Sequence, residues 1–216
     1  GWLNILDQYQ ALLGKLRLRP AIIICGGEPL TSPLLPKLLQ ELDTRFPNVD
    51  ICILTNGTVV RSDLLPLLRR LRVKFQVSLD GPEEMHDKFR RIPKCYQRAS
   101  ETIKQLLEVR KETKQLEVSI MTTICTANYE LLPDFIQEIK TKFPGTMHKF
   151  NILRGAHLGT YRVPKDVVSH LDGEVGKTES VPPEKLQELF DTLILPEVEV
   201  HRDKTWQKFL KLKWKY

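Results

Sequence analysis

The 216 residues, 41% hydrophobic and 28% charged, have the composition of a soluble globular domain with room for a sizeable core, and no apolar run nears the roughly 18 residues of a membrane span. A net charge of +6 sits mostly at the end, where Arg202, Lys204, Lys208, Lys211, Lys213 and Lys215 face Asp203 alone. The body is near neutral, which argues against a nucleic-acid face on the fold.

A first helix is expected over 2–16, where Leu3, Leu6, Leu13 and Leu16 fall near helical spacing. It is amphipathic and carries no cleavage site, so it does not read as a signal peptide. Ala21-Ile22-Ile23-Ile24-Cys25 follows as a short strand buried on both faces, because such a run has no wet side. Gly26-Gly27 ends it, Glu28 stands at its carboxyl end, and Pro29 blocks a simple continuation. Ser32-Pro33 opens a helix, with Ser as N-cap and an apolar face of Leu34, Leu35, Leu38, Leu39 and Leu42.

A second strand over 51–55 closes at Asn56-Gly57. A helix follows over about 62–71, so this Asn-Gly is a strand-to-helix loop rather than a hairpin turn. The third strand, 75–79, runs into Ser78-Leu79-Asp80-Gly81-Pro82, with Ser78 and Asp80 on one strand face. The stretch His86-Asp87-Lys88-Phe89-Arg90-Arg91 is polar and unlike a core element. Then come a helix over 98–112, a strand over 116–124 ended by Thr126-Ala127-Asn128, a helix over 131–143, and a strand over 149–153 ended by Arg154-Gly155. A polar loop of about 25 residues, long for a compact domain, leads to a last helix. Pro182-Pro183 opens that helix, which carries Leu186, Leu189, Phe190 and Leu193. Strict alternation implies right-handed βαβ units and a parallel sheet, either doubly wound or an incomplete barrel.

In a parallel sheet the strand ends converge on one rim, where ligands bind. Here that rim collects Gly26, Gly27 and Glu28, then Asn56, Ser78, Asp80, Asn128 and Arg154. Such a set suits a zwitterion bearing a ribose: Glu28 for an ammonium, an arginine for a carboxylate, Asp80 or Asn56 for hydroxyls. Asp80 reads equally as a turn-former before Gly-Pro, and Asn128 as a cap or turn residue. His86 and His157 read as surface or hydrogen-bonding residues on rim loops, since neither has a second ligand at metal spacing. Cys25, Cys52, Cys95 and Cys125 form no zinc or local iron–sulfur pattern. Three of them lie in apolar strand-like runs, as small buried hydrophobes, and a reducing, cytoplasmic compartment is expected.

Four segments together resemble the core of a radical S-adenosylmethionine (SAM) enzyme. They are Cys25-Gly26-Gly27-Glu28-Pro29-Leu30, Thr55-Asn56-Gly57-Thr58, Ser78-Leu79-Asp80-Gly81-Pro82 with His86-Asp87-Lys88-Phe89-Arg90, and Phe150-Asn151-Ile152-Leu153-Arg154-Gly155. The resemblance implies an α/β fold, a partial (β/α)6 TIM-type barrel whose first strand is missing here. Residues 1–200 would form that core and 201–216 a basic tail. It implies that Gly26, Gly27 and Glu28 meet the methionine amino group of SAM. It implies that Ser78 and Arg90 serve the ribose or carboxylate side, and that Leu153 lies near the adenine. Arg154 competes with Arg90 for the carboxylate, and the motif favours Arg90. The implied reaction passes an electron from a 4Fe-4S cluster to SAM, releases methionine, and removes a hydrogen atom from a substrate through a 5′-deoxyadenosyl radical. The implied partners are a reductase or other electron donor and a substrate. The Ser78 and Arg90 pattern is most like the peptide- and sulfatase-modifying branch, so the substrate is expected to be a peptide or protein.

The departure lies in the cluster motif. The family's CxxxCxxC belongs just before the first helix, where this chain opens with Gly1, and its four cysteines cannot replace it. The leading expectation is a piece of a longer enzyme. The alternative is a degenerate, cluster-free module that binds SAM or a nucleotide, and a plain βα scaffold is a third reading. In each case the chain as given is expected not to cleave SAM reductively. The segment 209–216 alternates apolar and lysine residues like a strand with one apolar face.

Overall fold

The computed structural model describes residues 1–59, 61–152 and 181–194. Leu153, Arg154, Gly155, His157 and the alternating segment 209–216 lie outside the described residues. The elements run α1 (Trp2–Leu16), β1 (Ala21–Ile24), α2 (Leu35–Arg45), β2 (Asp50–Thr55), α3 (Leu65–Leu68), β3 (Arg72–Ser78) and α4 (Glu83–Arg90). Then follow α5 (Cys95–Glu112), β4 (Leu116–Ile124), α6 (Leu132–Lys142), β5 (Met147–Ile152) and α7 (Pro183–Leu189). The chain divides into two compact units, Gly1–Thr123 with Asp134–Asn151, and Ile124–Pro133 with Ile152–Tyr216.

The strands form one parallel sheet in the order β1-β2-β3-β4-β5. Each crossover steps to the next neighbour in the same direction, as in a barrel wall; a doubly wound sheet would reverse partway. The open choice between those two folds is therefore settled as a partial barrel, not closed among the described residues.

Register explains which face became the core. Ile51, Val73 and Leu116 lie level across β2, β3 and β4, as do Ile53, Phe75 and Val118. All six are nearly inaccessible, together with Leu39 and Leu42 of α2, Ile103 of α5 and Phe135 of α6. Burying each such side chain contributes about 1.5–3 kcal/mol before the cost of ordering the chain. The residues between them face the other way. Cys52, Lys74 and Glu117 form one row there, and Leu54, Gln76 and Ser119 the next. Ion pairs tie that face across strands, Lys74 to Glu117 at 3.1 Å and Arg72 to Asp50 at 3.2 Å.

This two-sidedness corrects the expectation for 21–25. The run is not buried on both faces: Ile23 is 67% exposed. Its level partner is Cys52 on the polar face, and β1 is the edge of the sheet. Cys25 is likewise exposed and Cys52 half-buried, while Cys95 and Cys125 are buried. Cys95 opens α5, three residues before the expected helix start.

The polar stretch 86–91 is also corrected. Residues 83–90 form a helix, and His86 is fully buried on it. The helix expected over 62–71 is a short 3-10 turn, Ser62–Leu64, followed by α3. The turn before α2 is 3-10 as well, Pro29–Thr31, and the Ser32 hydroxyl accepts from the Leu34 N–H.

Gly57 has φ +69°, a conformation that favours glycine. A Cβ there would lie 2.7 Å from Val77 Cγ1 and 3.0 Å from Ala99 Cα, so the Asn-Gly loop passes directly over β3 and α5. In the second unit, Asn128 is a buried turn residue whose Oδ1 accepts from the Cys125 N–H at 2.8 Å. There α7 starts with proline in its first turn.

Candidate functional site

Two side-chain clusters stand at the carboxyl ends of the strands. The first is built on Glu28. Gly26 leaves β1 with φ +131°, and a Cβ on Gly26 or Gly27 would meet open space. The two glycines thus present bare backbone beside the carboxylate. Glu28 is held by three donors: the Leu30 N–H at 3.0 Å and the Thr55 hydroxyl at 2.5 Å on Oε1, and the Asn56 N–H at 2.7 Å on Oε2. The carboxylate therefore staples the rim of β1 to the rim of β2. Asn56 turns the chain with its own side chain, accepting at Oδ1 from the Thr58 N–H and hydroxyl. A cleft of about 310 Å³ opens beside Gly27 and Glu28, walled by Trp2, Ile24, Cys25 and Leu38.

The second cluster is built on Asp80, which is fully buried. Its Oδ2 accepts from Arg90 Nε at 2.7 Å and Nη2 at 2.6 Å, and its Oδ1 from the Thr123 N–H at 3.0 Å. Arg90 is 30% exposed. The side edge of its guanidinium is thus spent on Asp80, and the Nη1/Nη2 end stays open to a carboxylate. Asp80 is also the partner of His86, whose Nδ1 accepts from the Asp80 N–H at 3.0 Å. Burial pushes the His86 imidazole below its ordinary value, against the opposing pull of Asp80 and Asp87. It is therefore the neutral acceptor that this hydrogen bond requires. Ser78 lies half-buried two residues before Asp80, on the last rung of β3 level with Met121.

A second, half-buried histidine supports this strand end. His148 Nε2 lies 2.8 Å from Thr122 Oγ1, and that hydroxyl donates to the Leu79 carbonyl at 2.5 Å. With its only proton given to Leu79, Thr122 accepts from the His148 N–H. Burial between Phe135 and Phe150 holds His148 down at about 4.

The expected residues are thus brought together in two groups. Glu28 and Asn56 share one, Asp80 and Arg90 the other, and Ser78 flanks the second. Asp80 is a buried carboxylate with a cationic partner rather than a simple turn-former. His86 is not a surface residue, and its signal lay in its spacing: His86 and Arg90 are four apart, hence on one face of a helix. Thr122 and Thr123 went unnoticed, and Thr55 was read only as part of a motif with no role of its own, because threonine in a strand reads as β propensity. Among the described residues no group of three His, Cys, Asp or Glu side chains is placed to hold a metal ion.

The comparisons agree with this architecture. A serine-type anaerobic sulfatase-maturating enzyme of Bacteroides thetaiotaomicron is 37% identical over 70 residues, 31% of this chain and 17% of the relative. An AdoMet-dependent heme synthase of Methanosarcina barkeri is 31% identical over 114 residues, 52% of this chain and 31% of the relative. The matches thus span a third or less of those two relatives' own lengths. Among solved structures, native anSMEcpe with bound AdoMet and Cp18Cys peptide aligns with a TM-score of 0.58 at 18% identity. That alignment covers 84% of this chain and 49% of that one, and it speaks to the fold. The radical SAM superfamily profile matches residues 3–139, more than half of the chain. The chain belongs to the radical SAM superfamily.

Proposed function

We propose that this chain is the SAM-binding core of a radical SAM enzyme that modifies a peptide or protein. The observation that carries the reading is the Asp80–Arg90 pair. It holds a guanidinium rigidly by its side edge and leaves the end that grips a carboxylate bidentately. In this reading Arg90 takes the methionine carboxylate, and Ser78 supports the carboxylate or ribose. Gly26 and Gly27 offer backbone to the amino group. Glu28 adds negative charge there, since three donors leave a carboxylate one further acceptor site. Asn56 and Asp80 shape the rim through the turn and the ion pair; Leu153 is assigned to the adenine side, and Arg154 is the competing partner for the carboxylate.

Bound SAM supplies the adenosyl group for radical chemistry; the residues here bind and orient it. The described residues offer no ligand set for the family's 4Fe-4S cluster. The cluster and the electron donor therefore belong to the proposal for the longer enzyme. A peptide substrate draws support from the peptide in the structural neighbour's complex and from the polar, ion-paired face of the sheet. That no described helix is long and apolar enough to cross a membrane, and that all four cysteines are free thiols, are in keeping with a cytoplasmic enzyme.

Calorimetric titration of SAM into this chain and into Arg90→Ala tests the reading. Arg90→Ala is expected to bind at least about tenfold more weakly, the loss of a charge-assisted fork. Equal affinities would remove Arg90 from the site.

A further inference from the structure

The peptide unit joining Leu79 to Asp80 is gripped on both sides by buried side chains. Its carbonyl accepts from Thr122 Oγ1 at 2.5 Å, and its N–H donates to His86 Nδ1 at 3.0 Å. The same His86 ring packs edge-on to Tyr96, with centroids 6.1 Å apart at 72°. Its other nitrogen, Nε2, is buried with no hydrogen-bond partner. With Nδ1 accepting, the proton of the neutral ring sits on that partnerless Nε2. An orphaned buried donor is a poor way to stabilise a helix pair, since an apolar ring of similar size would fill the space without it. What the imidazole contributes that an apolar ring cannot is an acceptor aimed at Asp80. Fixing that peptide plane fixes where the Asp80 carboxylate points, and the carboxylate in turn fixes Arg90.

We propose that His86 is a positioning residue of the SAM pocket. Its neutral Nδ1, acting with Thr122, locks the Leu79–Asp80 peptide so that Asp80 presents the open end of Arg90 to the ligand carboxylate. The inference rests on the assignment of Arg90 to SAM.

The test uses this chain and four variants: His86→Asn, His86→Gln, Arg90→Lys and Thr122→Val. Asparagine places a carbonyl oxygen where Nδ1 lies, whereas glutamine reaches the position of Nε2. Heteronuclear NMR of the ring nitrogens in the wild-type chain should show His86 protonated on Nε2. Calorimetry with SAM should give His86→Asn within about threefold of wild type and His86→Gln at least about tenfold weaker, the worth of roughly one hydrogen bond. Rescue by asparagine but not glutamine distinguishes an acceptor at one point from mere filling of space. Thermal unfolding checks that each variant is folded. If His86→Gln is not, Thr122→Val releases the other side of the same peptide and should show the same weakening. A proton on Nδ1, or equal affinity for the asparagine and glutamine variants, overturns the proposal. So does wild-type affinity in Thr122→Val where the glutamine variant does not fold. If Arg90→Lys binds SAM like wild type, or the wild-type chain does not bind it, the pocket assignment falls and this inference with it. If Arg90→Lys is weaker while His86→Gln is not, only the role of His86 falls.

Discussion

At the scale of single residues, Glu28 changes most between sequence and structure. A carboxylate behind two glycines invites a ligand cation, yet here both oxygens already accept from the protein, each from the end of β2 and Oε1 also from Leu30. Rim architecture and ligand charge therefore meet in one side chain. Glu28→Gln keeps the length but sets an amide NH2 against a protein donor. It is expected to lower both stability and SAM affinity, each by roughly 1.5–3 kcal/mol, the scale of a hydrogen bond to a charged group. Urea unfolding and SAM calorimetry on the same preparation check this; unchanged stability would mean the staple is not real. The partners of Glu28 could not be read from the sequence because the Thr55 and Asn56 contacts span 27 and 28 residues. The Leu30 contact, two residues away, is local.

At the scale of elements, α4 and α5 are tied by a cap supplied from outside. Lys94 precedes α5 in a left-handed conformation with no side-chain cap of its own. The carboxylate of Asp87 on α4 accepts from the Lys94 N–H at 2.6 Å and the Tyr96 N–H at 2.8 Å instead. It thus satisfies donors at the start of an 18-residue helix. Asp87→Ala is expected to cost about 1–2 kcal/mol, the usual worth of an N-cap, read as a lower urea midpoint at unchanged slope. Gly57→Ala meets both a left-handed φ and a Cβ against Val77 and Ala99. A loss of roughly 2–4 kcal/mol is expected from conformation and overpacking together. A wild-type melting temperature for Gly57→Ala would show that the loop relaxes freely. Helix periodicity and the alternating strands were legible, as were the Asn-Gly loop and the proline-opened last helix. The helix at 83–90 was not. Its buried face is one histidine amid charges, and its partner helix begins at Cys95, where no sequence signal announced a start.

At the scale of the whole molecule, His86 and His148 set a pH response. His148 is held at about 4 by burial and, secondarily, by Lys140. His86 is lowered by burial, with Asp80 and Asp87 opposing and Arg90 assisting. A histidine depressed in the folded state takes up protons more readily when unfolded. Its contribution to stability is therefore complete above the ordinary value of about 6.5 and is lost as the pH falls toward the folded value. For His148 the loss between about 6.5 and about 4 amounts to roughly 3 kcal/mol at most. Urea unfolding from pH 7.5 to 4.5 should show stability falling with acid, and His148→Phe should flatten the slope. An unchanged slope would mean that His148 is solvated. A ligand that binds only the folded chain should also raise its melting temperature. SAM at a hundred times its dissociation constant is expected to add about 2.7 kcal/mol, which a thermal-shift titration reads directly.

The sequence by itself determined the alternation of strands and helices, α4 excepted, and the parallel sheet, and it marked Glu28, Asn56, Ser78 and Asp80 at strand ends. Those follow from local periodicity and from glycine, proline and polar residues at strand ends. Only the tertiary structure decided that the sheet winds as a barrel wall, that β1 is a half-exposed edge, and that Asp80, His86 and Arg90 form one buried unit. Neighbour order, exposure and a hydrogen-bonded cluster depend on which distant segments meet. A linear pattern records what each residue is, not what lies across from it.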